Sequence, residues 1–483
     1  MNKLIAHWFA VALGLCLGIA PSVLHGEEPS PPAPRLVPAT RPQMKQMIEE
    51  IKDREPRIPL PPMTAEEEEA LGERASNYEA RVRYHYLGKD LLLFGSRGAA
   101  TAPAPGTRPQ DPEATLSYPF KVQLFWVVSR TNNCQYCIGH QETKLLAAGV
   151  PEEVIAALDC DWSSFTDAER AAFAFARKYT LQPHTFSGTE IEGLKQFYTD
   201  RQILEMCLSM SWNNAINRWK EAIGVPQNRE EGGYSRMLRD YEREQKPIPE
   251  ELAKLPVGSY LTETPIKFRD TPSIVAPLGG DGSSTDSAGL PRSAARVRET
   301  YAEVEQILAA LPERKATLEL LDPQTTRERL DLPPSTPVAH WMQLLARFPL
   351  EGVQRARGVM SLEKLTALPP LLRAQIAWIV ARQDRAWYAL AMARDALQDR
   401  GLTTDQIALL DGDWSEYTAE ERSLFQLASS LAASPVVLHD QHVQEALAAA
   451  GPERVVQAIE LVTQLAAFQR ITEIAQLPAE RRP

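Results

Sequence analysis

"LDCDWSSFTDAERAAFAFA" at residues 158–176 and "LDGDWSEYTAEERSLFQLA" at residues 410–428 are two versions of one stretch, 252 positions apart. The same offset pairs Gln123 with Gln375, Trp126 with Trp378, Arg130 with Arg382, Tyr136 with Tyr388 and Gly149 with Gly401. It still holds at Arg218 with Arg470, Glu221 with Glu473 and Pro226 with Pro478. Residues 121–176 and their partners share 19 identities in 56 positions without a gap, a density that reads as tandem duplication of one domain. Both versions place Thr-x-x-Glu ahead of an apolar run, the signature of a capped helix start. Helical periodicity continues on either side and strand signals are scarce, so the predicted fold is all-α, built from two tandem copies of a helical domain.

Working outward gives the boundaries. Lys3 precedes an apolar run over residues 4–20, then Pro21 and small or polar residues, which predicts a signal peptide over 1–26 and an exported, periplasmic or extracellular protein. An uncleaved membrane anchor is the alternative. Residues 27–62 are Pro-rich and read as an extended linker that buries little. The first copy spans 63–228. It opens on Thr64 and Glu67 in capping-box spacing, with the acidic run 66–69 as a solvated first turn. Residues 99–115 form a loop, 229–294 an irregular connector with the flexible "GGDGSSTDSAG" at 279–289, and 295–480 the second copy. At 483 residues, two domains are the natural expectation. A net charge of −11 supplies no basic face, so no nucleic-acid partner is expected.

Comparison of the copies isolates the chemistry. Cys134 falls on Ala386, Cys137 on Ala389, His140 on Met392, Cys160 on Gly412 and Cys207 on Ile459. The fold therefore does not require "NNCQYCIGHQ", residues 132–141, in its thiol-bearing form. Four cysteines outside the leader are too few for a disulfide-built protein.

Asn132 and Asn133 are N-cap residue types, which predicts Cys134 and Cys137 in the first turn of a helix, where the dipole lowers a thiol pKa. Spacing of three residues sets the two sulfurs about 60° apart on one face, within reach of a disulfide. His140 lies about 60° further round, closer to Cys137 than to Cys134. A base there favours Cys137 as attacking and Cys134 as resolving thiol. A c-type haem site is ruled out because Ile138 stands where histidine must follow. Three readings stay open: a redox-active pair, an inert disulfide in an exported protein, and a zinc site. Zinc would need a fourth ligand from Cys160, His184 or Cys207, none at metal-type spacing.

"VVSRTNNCQYCIGHQ" (127–141) resembles the signature of the carboxymuconolactone decarboxylase and alkylhydroperoxidase D superfamily, and "LSMSWNNAINRWKEAIGVP" (208–226) is similar to the closing helix of its peroxidase-related members. The resemblance implies an all-α alkylhydroperoxidase D-like domain, often oligomeric, in which Cys137 attacks peroxide and Cys134 resolves. It implies a hydroperoxide or disulfide substrate, a thioredoxin-like or dihydrolipoyl-type reductant and a possible homo-oligomer. The duplication would supply within one chain the pairing that relatives obtain by oligomerising, so the two copies are expected to pack together. No metal or cofactor is implied beyond the Cys134–Cys137 pair. The family histidine position is occupied by Gln141, with His140 one place early, and the family glutamate position by Val122, beside Gln123. Supporting roles thus fall to Gln141, Gln123 and Arg130. The alternative function is a non-catalytic helical binding or scaffold protein with a vestigial disulfide.

Among the remaining polar residues, Asp159, Asp161 and Trp162 recur in the second copy and read as a helix-connecting turn. Arg130 also recurs, and either pairs with an acid or favours a nearby thiolate. Asn213, Asn214 and Asn217 do not recur and read as a polar helix end, with the lining of a pocket in the first copy as the alternative. His85 and His184 read as surface or loop residues. Glu142 lies about 140° from Cys137 around the helix and points away from it.

Overall fold

Every element in the computed structural model is helical, and no strand occurs among the described residues. These are residues 37–95, 111–227, 247–248, 250–253, 263–277, 299–436 and 438–480. The expected signal peptide, the start of the linker and most of the connector lie outside them.

The first half contains α1 (Arg41–Glu50), α2 (Ala65–Leu71), α3 (Tyr78–Gly95), α4 (Tyr118–Thr131), α5 (Gln135–Ala147), α6 (Glu152–Cys160), α7 (Asp167–Leu181), α8 (Gly188–Leu194) and α9 (Asp200–Ile223). The second half has the helices Tyr301–Ala310, Pro323–Leu330, His340–Leu345 and Glu351–Met360. It continues with α10 (Pro370–Asp384), α11 (Trp387–Gln398), α12 (Ala419–Ala432), α13 (Asp440–Ala450) and α14 (Pro452–Ile474).

The residues that recur at offset 252 make the same local bonds in each half. Thr166 and Glu169 form a reciprocal capping box at the start of α7, as do Thr418 and Glu421 at α12, so orphan helix donors are satisfied in the same way. Trp162 Nε1 donates to the Leu158 carbonyl at 2.8 Å, and Trp414 Nε1 to that of Leu410 at 2.9 Å. Each indole packs edgewise or tilted on a phenylalanine, Phe173 or Phe425. Arg130 Nε donates to Asp159 at 3.1 Å, and Arg382 Nε to Asp411 at 2.9 Å.

The N-terminal boundary differs from the expectation. Residues 41–50 are not extended linker but α1, which buries Met44, Met47 and Ile48. Its two buried cations are held by carboxylates: Arg41 by Glu142 at 2.8 Å and Glu152 at 2.7 Å, and Lys45 by Glu152 at 2.5 Å. Proline-rich flanks hide a short helix whose burial depends on partners about 100 residues downstream. The helix Tyr301–Ala310 stands in the corresponding place, since Arg130 Nη2 donates to the Ala39 carbonyl and Arg382 Nη2 to that of Glu299. The acidic first turn is exposed at Glu66, Glu68 and Glu69 as expected and departs from expectation at one residue. Thr64 caps α2, but Glu67 is buried against Arg81 rather than solvated. Residues 263–277 of the connector are irregular yet anchored: Phe268 and Val275 are buried, and Ile274 N donates to the Asp159 carbonyl.

All described residues belong to one compact unit, with an apolar core continuous through both halves. At its middle α9 lies along α14, and Trp212, Ala215 and Ala467 pack together there. Burying apolar surface on this scale is the main stabilising term. Polar contacts across the boundary are reciprocal. Arg218 donates to the Ala432 carbonyl (3.1 Å) and Arg470 to the Thr180 carbonyl (3.2 Å). Both guanidiniums donate to the one hydroxyl of Ser434, at 2.7 and 2.8 Å. Arg470 is also paired with Asp384 at 2.7 Å. Arg218 instead meets carbonyls and the Asn214 side chain, and burial together with Arg470 pulls its pKa well down.

Candidate thiol site

The site begins where α4 ends. Asn133 takes φ = 63°, the left-handed conformation that asparagine tolerates better than most residues, and this breaks α4 from α5. Cys134, rather than an asparagine, is then the N-cap of α5: its Sγ accepts from the Cys137 amide at 3.3 Å. Cys134 N donates back to the Ser129 carbonyl at 3.0 Å. Both cysteines are free thiols and buried, Cys134 fully and Cys137 to within 2%. The expected depression of the Cys134 pKa is not found. Burial pushes this thiol well up, and the neighbouring Cys137 adds to the effect. Desolvation here outweighs the helix dipole.

Two ion pairs flank the thiols. On the Cys134 side Glu221 of α9 accepts from the Gln135 amide at 3.0 Å and pairs with Arg54 at 2.7 Å. The thiol-free half repeats this with Glu473, Tyr388 N and Arg314, so the arrangement serves the fold. The other pair is Lys220 with Glu79. Lys220 Nζ lies 4.5 Å over the Tyr136 ring, and the His140 ring packs on the same tyrosine at 4.6 Å. Burial works against the Lys220 charge, but Glu79 and Tyr136 outweigh it and hold its pKa above the ordinary lysine value. Lys220 falls on Thr472 at offset 252, so this column belongs to the thiol-bearing half alone. Sequence reasoning missed it, although the same offset comparison carries the signal.

The sequence-predicted residues divide. Cys134, Cys137 and His140 share α5, with His140 half-buried. Gln141 is buried on the same helix and its Oε1 has no partner. Gln123 is buried on α4. Arg130 does not support the thiols, because its guanidinium is committed to Asp159 and the Ala39 carbonyl. Glu142 turns away, accepting from Trp126 at 2.6 Å and pairing with Arg41, which holds its pKa down against burial. Cys160 donates to the Thr271 carbonyl at 3.6 Å, and burial pushes its thiol up to about 12. His85 is exposed, whereas His184 sits 3.4 Å from Arg385 of the other half.

The asparagines of α9 are not a polar helix end. Asn214 and Asn217 are fully buried and accept from Asn132 at 3.2 and 3.3 Å, while Asn217 donates to Ser129. They tie α9 to the turn that carries Cys134. No group of three or more His, Cys, Asp or Glu placed to hold a metal occurs among the described residues, nor does a helix long and apolar enough to cross a membrane. Comparison with protein-family models, with curated proteins and with solved structures gives no match.

Proposed function

We propose that the chain is an exported thiol-dependent peroxidase made of two tandem alkylhydroperoxidase D-like domains, the second without thiols. The observation that carries this reading is the Cys134 sulfur on the Cys137 amide at 3.3 Å, a reduced pair held one turn apart in the half where the fold does not need it. In the proposed cycle the Cys137 thiol gives up its proton and the thiolate attacks the peroxide O–O bond. The cleaved oxygen takes up that proton and leaves as an alcohol, or as water from hydrogen peroxide, and a sulfenic acid remains. Cys134 then displaces the sulfenic hydroxyl. Its proton leaves with that hydroxyl as water, and the Cys134–Cys137 disulfide forms. A thioredoxin-like or dihydrolipoyl-type dithiol returns two electrons and two protons. Burial keeps Cys134 protonated until closure, which suits the resolving role. The non-catalytic scaffold reading draws on the near-complete burial of both sulfurs.

Peroxide consumption separates the two. With dithiothreitol, the protein should reduce hydrogen or alkyl hydroperoxide, Cys137→Ser should abolish the reaction, and Cys134→Ser should accumulate a trappable sulfenic acid. Equal consumption by wild type and Cys137→Ser would leave only the scaffold.

A further inference from the structure

The thiol turn is not closed by its own half. Val436, from the segment between α12 and α13, donates its amide to the Asn132 carbonyl at 3.2 Å and accepts from Asn133 Nδ2 at 3.1 Å. Asn133 Oδ1 accepts from Val37 N at 2.6 Å. One residue of the second half thus grips, through its backbone, both residues that precede Cys134, at a position whose φ of 63° few side chains would hold unaided. The second half has the matching turn. Arg385 stands at offset 252 from Asn133 with φ = 51°, its guanidinium meets His184, and Ala386 N donates to the Ala381 carbonyl at 2.9 Å. There the following residues are alanines, so the grip has no thiols to serve.

We infer that Asn133 and the Val436 backbone are positioning groups of the thiol site: the thiol-free half holds the Cys134 turn in register with Cys137 and so sets how readily the pair closes. This rests on the proposed thiol cycle and extends it to a contribution from the half without cysteines. The physical basis is effective concentration. Two thiols on a clamped turn lose little further freedom on forming a disulfide, whereas on a loosened turn they must be ordered first. Releasing the clamp should therefore make the disulfide weaker relative to the dithiol.

The test is a redox titration of the full chain against glutathione. The balanced exchange converts protein dithiol and glutathione disulfide into protein disulfide and two glutathione thiols, read by alkylation and mass. Asn133→Gly tolerates the backbone conformation and removes the side-chain bonds to Val37 and Val436. It should shift the equilibrium roughly tenfold toward the dithiol, about 30 mV. Asn133→Asp keeps the acceptor for Val37 N and loses the donor to Val436, so it should shift less and in the same direction. Arg385→Gly makes the matching change in the thiol-free half and should leave the potential unmoved while lowering the melting temperature. An unchanged potential in folded Asn133→Gly or Asn133→Asp overturns the inference, as does an equal shift in Arg385→Gly. A wild-type pair that never oxidises with glutathione disulfide or peroxide instead removes the thiol cycle itself, and the inference with it.

Discussion

Ser434→Ala is the sharpest probe of how the halves are joined. The Ser434 hydroxyl accepts from Arg218 Nη2 at 2.7 Å and from Arg470 Nη2 at 2.8 Å, both guanidiniums being fully buried. Hydrogen bonds to charged groups contribute about 1.5–3 kcal/mol each. The lower end applies, since Arg218 keeps the Ala432 and Ala433 carbonyls and Arg470 keeps Asp384 and the Thr180 carbonyl. Two such losses give an expected destabilisation of about 3 kcal/mol, with only a hydroxyl's volume removed. Equilibrium urea unfolding, followed by tryptophan fluorescence, should show a single transition at a lower midpoint with an unchanged slope. The single transition follows from a core continuous through both halves. A change within about 0.5 kcal/mol of wild type, the range of surface substitutions, would refute the idea that this hydroxyl anchors both cations.

Lys220→Met removes the cation of the Tyr136–His140 column, so the pH at which the thiols become reactive to iodoacetamide should rise, and Lys220→Arg should restore it largely. Burial raises the Glu79 pKa, but Lys220 and Arg83 outweigh it and hold the group down to about 2. A carboxyl depressed in the folded state stabilises at neutral pH, and that contribution disappears as pH falls from about 4.5 toward 2. Lys220→Met should flatten the acid limb of a stability–pH curve in that window. Arg41→Met leaves buried Glu142 without its principal partner and should cost about 3 kcal/mol in urea, most of it recovered in the double variant with Glu142→Gln. His140→Gln should slow peroxide turnover without moving the melting temperature, measured under the dithiothreitol assay.

How much was legible in the sequence depended on range. Helix starts at Thr166 and Thr418, and the indole-bearing turns after Leu158 and Leu410, rest on contacts within five residues, so pattern alone locates them. The thiol pair stood out because one half lacks it. Lys220 was equally visible at the same offset, but its meaning depends on α3 and α5 converging beside α9. Helix α1 was hidden because its cations become core residues only when Glu142 and Glu152 arrive. The cap on α5 was misassigned for a local reason: with Asn133 used to break α4, the capping position moves one residue on to Cys134. The Val436 grip spans 303 positions through backbone atoms, and no side-chain pattern announces such a contact.

The arginines at the α9–α14 crossing also determine which halves can be neighbours. Arg470 brings Asp384, whereas the position matching Asp384 in the first half is Asn132, and the position matching Ser434 is Gln182. Two first halves facing each other would bury a pair of guanidiniums with neither a carboxylate nor the shared hydroxyl between them. Pairing with the thiol-free half brings one carboxylate and one shared hydroxyl to the two guanidiniums, so the thiol-bearing half meets its buried arginine with partners that a second copy of itself would not supply.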